Sequence, residues 1–546
     1  MRKIVIVGGV AGGASAAARL RRLDEEAKII LFEKDEYISF ANCGLPYYIG
    51  ETITERSKLI VQTPAAMKSR FDIDIRTNSK VVSVDTAAKT VKVYSAQAGE
   101  YTESYDTLVL APGVEPIVPQ IKNTCPERML SLRTIPDMDR IKAEVGKGQI
   151  KSAAIIGGGY IGVETAENLR EIGVEVTLVE AAPHILAPFD SEFSILVEKE
   201  LEKHGVKVVL NDMLEAVEED DGLAALKLKS GTVIKAELVL SAIGVTPATG
   251  FLKDSGIALG PKGHIVVNDR MQTNAEGVYA VGDAVEVVDF VTGQRTAIPL
   301  AGPANKQGRI AADNICGIER HYNGTQGTAI IKVFGLAAAS TGANERTIKR
   351  LGIPYTAIYS HPFSHATYYP GAVQMSCKLL FAPDGKILGC QIVGGEGADK
   401  RIDVIATVIR LGGTVYDLCE LELAYAPPFS SAKDPVNMLG YIAQNILEGQ
   451  SEVVDYNDVA GRDEENTVLI DVRTPDEFSR GHIEGAINIP VDELRGRLGE
   501  IDKNKEVIEY CQVGLRGHIA ERIFAQHGYK VKNMTGGWKT YSITIK

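Results

Sequence analysis

The sequence lacks several features that would assign it to a membrane or to a secretory route. It has no run of the roughly 18 consecutive apolar residues that a membrane-spanning helix needs. It starts MRKIVIVGG, without the apolar segment and cleavage site of a secretory signal, so we expect a cytoplasmic protein and no membrane partner. With 59 Lys and Arg against 71 Asp and Glu, its net charge of −12 argues against a nucleic-acid partner.

Cysteine is scarce and scattered. The 546 residues contain 7 cysteines, no CxxC pair and no His-rich tract, so we predict neither a disulfide framework nor a metal site. Cys43, in the stretch SFANCGLPY, stands far from its nearest neighbour, Cys125. A redox thiol without a close partner works through a mixed disulfide, a persulfide or a sulfenic acid.

Glycines recur where an apolar strand meets a helix at the start of the chain. KIVIVGGVAGGASAAARLRR reads as strand, turn and helix, and AKIILFEKD reads as the next strand. In such a unit the helix N-terminus binds a pyrophosphate and a carboxylate after the second strand binds ribose hydroxyls. The alternative is a glycine-rich turn without a ligand. The dinucleotide-binding prediction rests on Gly8, Gly9, Gly12, Gly13 and Glu33.

The same pattern returns in SAAIIGGGYIGVETAENLREIGVEVTLVEAAP. Gly157, Gly159 and Gly162 fit G-x-G-x-x-G, and Glu180 ends the following strand. A carboxylate at this place repels the 2′-phosphate of NADPH, so we expect a preference for NADH, with NADPH as the alternative. Two such folds predict two dinucleotides, one resident and one exchanging.

Three further stretches carry a family resemblance. TLVLAPG, VLSAIGVTP and VYAVGDA, in this order, resemble the motifs of flavin disulfide reductases that bind two dinucleotides. The resemblance implies FAD on the first fold, with Asp283 at its ribityl chain, and a helix within LAGPANKQGRIAADNI beneath the flavin ring. It also implies cofactor contacts from Lys34, Val81, Gly113, Gly282 and Ala301.

The residues around Cys43 indicate which group of flavin disulfide reductases the sequence resembles. Tyr48 stands five residues on, where glutathione-reductase-like members have a second cysteine, so that dithiol is absent. GGVAGGAS, SFANCGLPY, HATYYPGA and YAPPFSSAKDPVNMLGY closely resemble coenzyme A-disulfide and coenzyme A-persulfide reductases, over roughly the first 445 residues. The resemblance implies that Cys43 is the redox thiol and that coenzyme A is the substrate or a bound ligand.

Arg19 and Arg22 lie three residues apart on one face of the first helix and form a candidate phosphate site. The alternative is a solvated basic face. The resemblance implies a wider set of substrate-binding residues, namely Ser15, Arg19, Arg22, Ser39, Asn42, Arg70 and Asn305.

The resemblance also implies a homodimer in which C-terminal tyrosines of one subunit reach the active-site sulfur of the other. Tyr425 and Tyr368 are the candidates, and the sequence does not separate Tyr368 from Tyr369. A tyrosine hydroxyl, with a pKa of about 10, can protonate a leaving thiolate. The alternative is ordinary interface packing, and His361 and His365 are interpreted as structural.

The last hundred or so residues change in character, after a linker near residue 448. TVLIDVRTPDEFSRGHIEGAINIP and EVIEYCQVGLRGHIAERIFAQHGY resemble rhodanese domains over the whole segment. The loop CQVGLR lies between a strand and a helix, so its N–H groups and Arg516 are predicted to lower the pKa of Cys511 and to stabilise a persulfide. Its six residues favour sulfur transfer, because related phosphatases have one residue more. The alternative is a degenerate, inactive domain.

The sequence thus predicts an α/β protein with two Rossmann-like dinucleotide-binding domains, an α+β dimerisation domain and a C-terminal α/β rhodanese domain. The expected boundaries are 1–114 with 246–325 for FAD, 115–245 for NAD(P)H, 326–447 for dimerisation and 448–546 for rhodanese.

The expected activity is NADH-dependent reduction of coenzyme A persulfide, polysulfide or coenzyme A disulfide through Cys43, with Cys511 carrying sulfane sulfur. Persulfide is favoured, because a pure disulfide reductase has no use for a sulfur carrier. The alternatives are an NADH oxidase or peroxidase that uses a Cys43 sulfenic acid, and a non-enzymatic redox sensor. Ala11 argues against the oxidase, since those members typically have a histidine in this glycine turn.

Overall fold

The computed structural model describes residues 1–146, 148 and 150–544. It divides into two compact units. The first comprises Met1–Ile185 and Glu202–Gly327, and the second comprises Leu186–Leu201 and Thr328–Lys546. Each unit contains two five-stranded sheets.

The first sheet of the first unit is parallel throughout and begins with the first strand of the chain. Its central strands are apolar and buried, as expected for a sheet covered on both faces. The helices Ala11–Leu23 and Ala301–Ile315 pack closely, because a side chain at Gly308 would overlap the carbonyl oxygen of Gly12. The strand order is Val278–Ala280, Thr107–Leu110, Lys3–Val7, Lys28–Phe32 and Asp74–Arg76.

The second sheet repeats this plan, again with all strands parallel. Its order is Met129–Leu130, Leu238–Ser241, Ser152–Ile156, Glu175–Val179 and Lys207–Val209. The remaining helices of this unit are Leu45–Ile49, Pro64–Phe71, Ile135–Gly146 and Tyr160–Glu171.

Smaller sheets complete the first unit. One has three strands, Ser79–Asp85, Thr90–Ser95 and Gly99–Ser104, and one has four, Val233–Ala236, Leu223–Leu228, Leu214–Asp220 and Lys122–Asn123. Two others are formed by Val245–Pro247 with Val114–Pro116, and by Ile265–Val266, Val285–Val288 and Arg295–Thr296.

The second unit contains an antiparallel sheet with buried strands. Its order is Ala329–Val333, Leu336–Gly342, Ile387–Gly394, Ser376–Phe381 and Thr356–Ser360. The helices along this part of the chain are Ser191–Lys203, most of which lies in this unit, with Glu345–Leu351, Ala398–Arg410, Val415–Glu420 and Pro435–Leu447.

The C-terminal part of the second unit has its own parallel sheet and core. Its strand order is Val453–Val454, Val531–Met534, Glu506–Tyr510, Thr467–Asp471 and Ile487–Asn488. Its helices are Tyr456–Ala460, Pro475–Ser479, Leu494–Arg497, Leu515–Gln526 and Gly537–Thr544. The chain enters this part directly after the helix that ends at Leu447, close to the predicted linker near residue 448.

A buried ion network stabilises the antiparallel part of the second unit. Lys378 is 0% exposed, and its ammonium lies 2.8 Å from Asp190, 2.6 Å from Glu192 and 2.6 Å from Glu345. Burial favours the neutral form of Glu345, but the charge of Lys378 and hydrogen bonds from Lys349 and Lys378 lower its pKa to about 2. The three acids lie close enough to bind a metal ion, and the lysine ammonium lies among them and compensates part of their charge.

Lys378→Met should lower the free energy of unfolding by about 3–5 kcal/mol, because it leaves the buried carboxylates of Asp190 and Glu192 without their cation. Lys349→Met is the matched control. Lys349 also pairs with Glu345, at 2.8 Å, but its side chain is 64% exposed, so a change below about 1 kcal/mol is expected. Urea unfolding followed by the fluorescence of Trp538, which lies in this unit, measures both values. Equal effects of the two substitutions would contradict the network.

Candidate functional site

In each of the two glycine turns of the first unit, an acidic side chain accepts hydrogen bonds from backbone N–H groups. The Glu33 carboxylate accepts hydrogen bonds from the backbone N–H of Gly9 at 2.8 Å and of Asp35 at 3.2 Å. The Glu180 carboxylate accepts them from Gly158 at 2.7 Å and Ala182 at 2.8 Å. Burial raises the pKa of Glu33, although its backbone hydrogen bonds oppose the shift. Both acids therefore stand beside the turn where the sequence places a dinucleotide.

The glycines allow a close approach of strand and helix in both turns. Gly8 and Gly157 have φ values of +98° and +106°, which favour glycine. A side chain at Gly13 would overlap the carbonyl oxygen of Gly8, and one at Gly162 would overlap that of Gly157. Gly9, Gly12 and Gly159 belong to the same turns.

A cavity of about 450 Å³ opens beside the first turn. It is lined by Gly8, Glu33, Lys34, Val81 and Gly113, which are all predicted cofactor contacts. Asn42, predicted to bind substrate, also lines this cavity. When its amide is oriented to satisfy both neighbours, it accepts from Arg133 at 2.6 Å and donates to the Phe40 carbonyl at 3.2 Å.

Asp283 follows the strand Val278–Ala280, as the sequence predicts. Its carboxylate lies 3.3 Å from the Arg133 guanidinium. Burial raises the pKa of Asp283, and Arg133 opposes the shift. The N–H of Gly282 donates to the Gln307 side chain at 2.8 Å, which ties this turn to the helix that starts at Ala301.

Cys43 lies in the single turn Asn42–Gly44, directly before the helix Leu45–Ile49. Its side chain is exposed in this chain. Partial desolvation raises the pKa of the Cys43 thiol, the carboxylates of Glu164 and Asp283 add to the shift, and Arg133 opposes it. Cys43 thus lies within electrostatic reach of the predicted FAD-binding Asp283.

Two neighbours of Cys43 were not predicted from the sequence. Glu164 lies in the helix Tyr160–Glu171, and burial, with the charge of Glu167, raises its pKa to about 7. The Tyr47 hydroxyl lies 3.5 Å from the Glu164 carboxylate. The available signals were that Glu164 follows Gly162 by two residues and that Tyr47 follows Cys43 by four.

A second cavity, of about 380 Å³, brings most of the predicted substrate residues together. Ser15 donates to Asn305 at 2.5 Å, and Arg19 pairs with the buried Asp313 at 2.7 Å. Gln62 and Arg309 also line it and were not predicted. The predicted residues in its wall are Ser15, Arg19, Arg22, Ser39, Arg70 and Asn305.

The arginines that line this cavity differ in whether they are paired with a carboxylate. Arg19 has a carboxylate partner, whereas no carboxylate in the described ranges pairs with Arg22, Arg70 or Arg309. Three uncompensated guanidinium groups around one cavity favour a polyanionic ligand such as a phosphate ester.

The predicted tyrosines lie in the second unit. The hydroxyls of Tyr368 and Tyr425 are 2.9 Å apart, and the side chains are 75% and 48% exposed. Their hydrogen bond raises the pKa of Tyr368. Tyr369 instead lies edge-on to His365, with ring centroids 5.8 Å apart. Tyr368 is therefore the tyrosine paired with Tyr425.

His361 and His365 have structural contacts. The ring of His361 bonds Ser376 at 3.0 Å and Thr540 at 2.8 Å, and burial lowers its pKa to about 3. His365 bonds Ser364 at 3.1 Å.

Cys511 follows the strand Glu506–Tyr510 and is buried. Its sulfur accepts a hydrogen bond from the N–H of Gly514 at 3.1 Å, before the helix that begins at Leu515. The prediction of a lowered thiol pKa is wrong. Burial and the nearby Glu509 raise the pKa of Cys511, and the backbone N–H groups of Gly517, Val513 and Gly514 only partly oppose this.

Arg516 also differs from the expectation that its charge would serve the thiol. Its two terminal nitrogens each lie 2.7 Å from an oxygen of the Glu477 carboxylate. This bidentate ion pair compensates the guanidinium charge.

Comparison with known proteins identifies the family. The profile described as pyridine nucleotide-disulphide oxidoreductase matches residues 2–308. The chain belongs to this family. The dimerisation domain of these oxidoreductases matches residues 328–435, and the rhodanese-like domain matches residues 457–544.

Two solved structures match nearly the whole chain, and a curated relative matches 81% of it. The crystal structure of reduced Bacillus anthracis CoADR-RHD has a TM-score of 0.97 at 50% identity and covers 99% of this chain and 98% of that chain. The structure of a NAD-dependent persulfide reductase from A. fulgidus has a TM-score of 0.90 at 35% identity and covers 99% and 100%. The coenzyme A disulfide reductase of Staphylococcus epidermidis is 35% identical over 447 residues, which are 81% of this chain and 100% of that protein.

These matches confirm the predicted fold class for this oxidoreductase, including the dimerisation and rhodanese domains. Family membership implies FAD and NAD(P)H as cofactors. In residues 1–146, 148 and 150–544, no helix is both long and apolar enough to cross a membrane.

Proposed function

We propose that this oxidoreductase uses NADH to reduce coenzyme A persulfide, polysulfide or coenzyme A disulfide at Cys43. The observation that carries the proposal is the arginine-lined cavity, which contains Ser39, four residues before the lone thiol. Coenzyme A has the phosphates that Arg22, Arg70 and Arg309 favour and a sulfur at the end of a long arm. The relatives named for coenzyme A disulfide and persulfide reduction support the same substrates.

The residues around the first glycine turn fit FAD. The cavity of about 450 Å³ joins the turn to Glu33, and no side chain could replace Gly13 without a clash. FAD, when bound, supplies two electrons taken from the nicotinamide. Glu33 would bind its ribose, Asp283 its ribityl chain, and the helix from Ala301 would lie beneath its ring. Gly157, Gly159, Gly162 and Glu180 would hold NADH in the second fold.

The chain's own chemistry centres on one thiol. The Cys43 thiolate attacks the outer sulfur of coenzyme A persulfide, the S–S bond of the substrate breaks, and coenzyme A leaves as a thiolate. A persulfide on Cys43 remains, and two electrons return it to a thiolate and release HS⁻. With coenzyme A disulfide the same attack gives a mixed disulfide. Desolvation raises the pKa of Cys43, and the charge of Arg133 opposes this shift and so favours the attacking thiolate.

The proton for the leaving thiolate is assigned to the tyrosine pair. Tyr368 and Tyr425 are exposed and hydrogen-bonded to each other. Their hydroxyls are therefore accessible to a group that approaches from outside the subunit. We place them against the Cys43 of the other subunit in a homodimer. A tyrosine hydroxyl can donate the proton to the leaving thiolate, so the reaction does not require a histidine as general acid.

The assay that tests this function measures NADH oxidation with each sulfur substrate. Coenzyme A persulfide should have the highest kcat/KM. NADPH in place of NADH should lower kcat/KM by roughly 5- to 150-fold, because Glu180 repels the 2′-phosphate by on the order of 1–3 kcal/mol. Oxygen uptake as the main NADH-consuming reaction would instead establish the oxidase alternative. Absence of turnover with any substrate would leave a redox sensor.

Replacing both Arg22 and Arg70 by Ala should raise KM for coenzyme A substrates by roughly 10- to 100-fold, because each loses a charge-assisted hydrogen bond to phosphate. Inorganic polysulfide has no phosphate, so its KM should stay the same. Arg19 is left in place, because its removal would strip the buried Asp313 of its partner.

The matched control is Lys28→Ala with Lys68→Ala, which removes the same charge from exposed positions of this unit outside the cavity wall. An equal loss with polysulfide and coenzyme A substrates would show that the arginines act on folding instead.

A further inference from the structure

The loop of Cys511 has two arginines nearby, and carboxylates neutralise both. Arg473 is buried, and its guanidinium bonds Asp471 at 2.6 and 3.0 Å. Its remaining nitrogen reaches the Gln512 side chain, at 3.3 Å. Arg516, the last residue of the loop, forms its bidentate pair with Glu477, at 2.7 Å for both bonds. Neither guanidinium is left to bind a small anion.

The ion pair of Glu477 is firmly built. Glu477 is also the third residue of the helix Pro475–Ser479, where its carboxylate accepts from the N–H of Thr474 at 3.0 Å and from its hydroxyl at 3.1 Å. The bonds from Arg516, with those from Thr474, lower the pKa of Glu477 to about 2. This carboxylate therefore stays ionised and bonded at neutral pH.

Two exposed apolar side chains and one buried acid belong to the loop or to the strand and helix that flank it. Leu515, within the loop, is 64% exposed, and Ile519, one turn further along the same helix face, is 43% exposed. Glu509 is buried, and neither of its carboxylate oxygens has a hydrogen-bond partner among the described residues. The exposed apolar side chains suit an organic donor.

We propose that the Arg516–Glu477 ion pair makes Cys511 selective for organic persulfides and against thiosulfate. The proposal rests on the sulfane-sulfur role of Cys511 in the proposed function and names its donor class. Glu477 is a specificity-determining residue that acts by withholding Arg516.

The chemistry of the leaving group explains the selection. With an organic persulfide, R–S–SH, the Cys511 thiolate attacks the outer sulfur, the donor's S–S bond breaks and Cys511–S–SH forms. The thiolate RS⁻ leaves and takes a proton from solvent, so no external oxidant or reductant is needed. With thiosulfate the leaving group is sulfite, a dianion, which needs an uncompensated cation beside it.

Thiocyanate formation from cyanide by the full-length protein, without NADH, tests the proposal independently of Cys43. The donors are thiosulfate and glutathione persulfide. Glu477→Gln should raise kcat/KM for thiosulfate about tenfold, as expected when one charge-assisted hydrogen bond is recovered. It should change the value for glutathione persulfide less than about threefold. Glutamine can still cap the helix through its amide oxygen, so the local fold is retained.

Three comparisons make the result decisive. Adding Arg516→Ala to Glu477→Gln should remove the gain. Glu493→Gln removes the same charge from an exposed pair with Arg497 and should leave both donors unaffected. Glu477→Asp, too short for two bonds, should give a smaller gain if the glutamine variant folds poorly. A wild-type protein that uses both donors equally well, or a variant that changes both by the same factor, would overturn the proposal.

Discussion

Cys43→Ser should abolish NADH-dependent reduction of coenzyme A persulfide and disulfide, with kcat falling on the order of 10³-fold or more. A serine hydroxyl is a far weaker nucleophile than a thiolate at neutral pH and forms no S–S bond. No other cysteine stands near Cys43 in the sequence to replace it. Stopped-flow and steady-state NADH oxidation, at matched FAD content, measure the loss.

The control for this experiment is Cys316→Ser, which alters another thiol of the same unit, one outside both cavities. It should retain activity. FAD should remain bound in the Cys43 variant, because the predicted FAD contacts lie in the glycine turn and at Asp283. Turnover at the wild-type rate in Cys43→Ser would refute the proposed function, whereas loss of FAD would show that the substitution disturbs the fold.

Local patterns in the sequence were sufficient for the strands and turns of both dinucleotide folds. Lys3–Val7 and Ser152–Ile156 are runs of apolar residues that end at glycines, and an acid follows the next strand in each case. These signals are short in range, because strand, turn and helix succeed each other within about 30 residues.

The site residues that could not be predicted from the sequence make contacts with residues far away in the chain. Arg133 reaches Asp283 and Asn42 from the segment between the strand Met129–Leu130 and the helix Ile135–Gly146. Arg309 lines the cavity beside the first helix from another helix. No periodicity marks such residues. The pairing of Tyr368 rather than Tyr369 with Tyr425 likewise depends on how a loop turns.

The wrong prediction for Cys511 has a different origin. The backbone N–H groups lower the pKa of Cys511 as the sequence predicts, but burial and Glu509 outweigh them. Residues two apart on a strand share a face, so Glu509 and Cys511 point to the same side. The sequence shows that residue 509 is a glutamate, but it does not show that this side chain is buried. A nearby acid adds to desolvation instead of opposing it.

Cys511→Ala should leave reduction of preformed coenzyme A persulfide within about twofold of wild type. It should slow NADH oxidation at least about tenfold when the sulfur comes from glutathione persulfide in the presence of coenzyme A at micromolar concentration. Tethering raises the effective concentration of sulfane sulfur for the reductase to roughly the millimolar range. Coenzyme A is long enough to carry sulfur between the two thiols, so direct contact between them is not required.

Cys419→Ala, in the same unit, is the matched control and should behave as wild type with both substrates. Each outcome assigns Cys511 a different role in the reaction. If Cys511→Ala equals wild type with every persulfide donor, the rhodanese domain serves another reaction. If it also fails with preformed coenzyme A persulfide, Cys511 takes part in the reductive step itself. Only a loss confined to the external donor places Cys511 upstream of Cys43, as the thiol that accepts sulfur and passes it to coenzyme A.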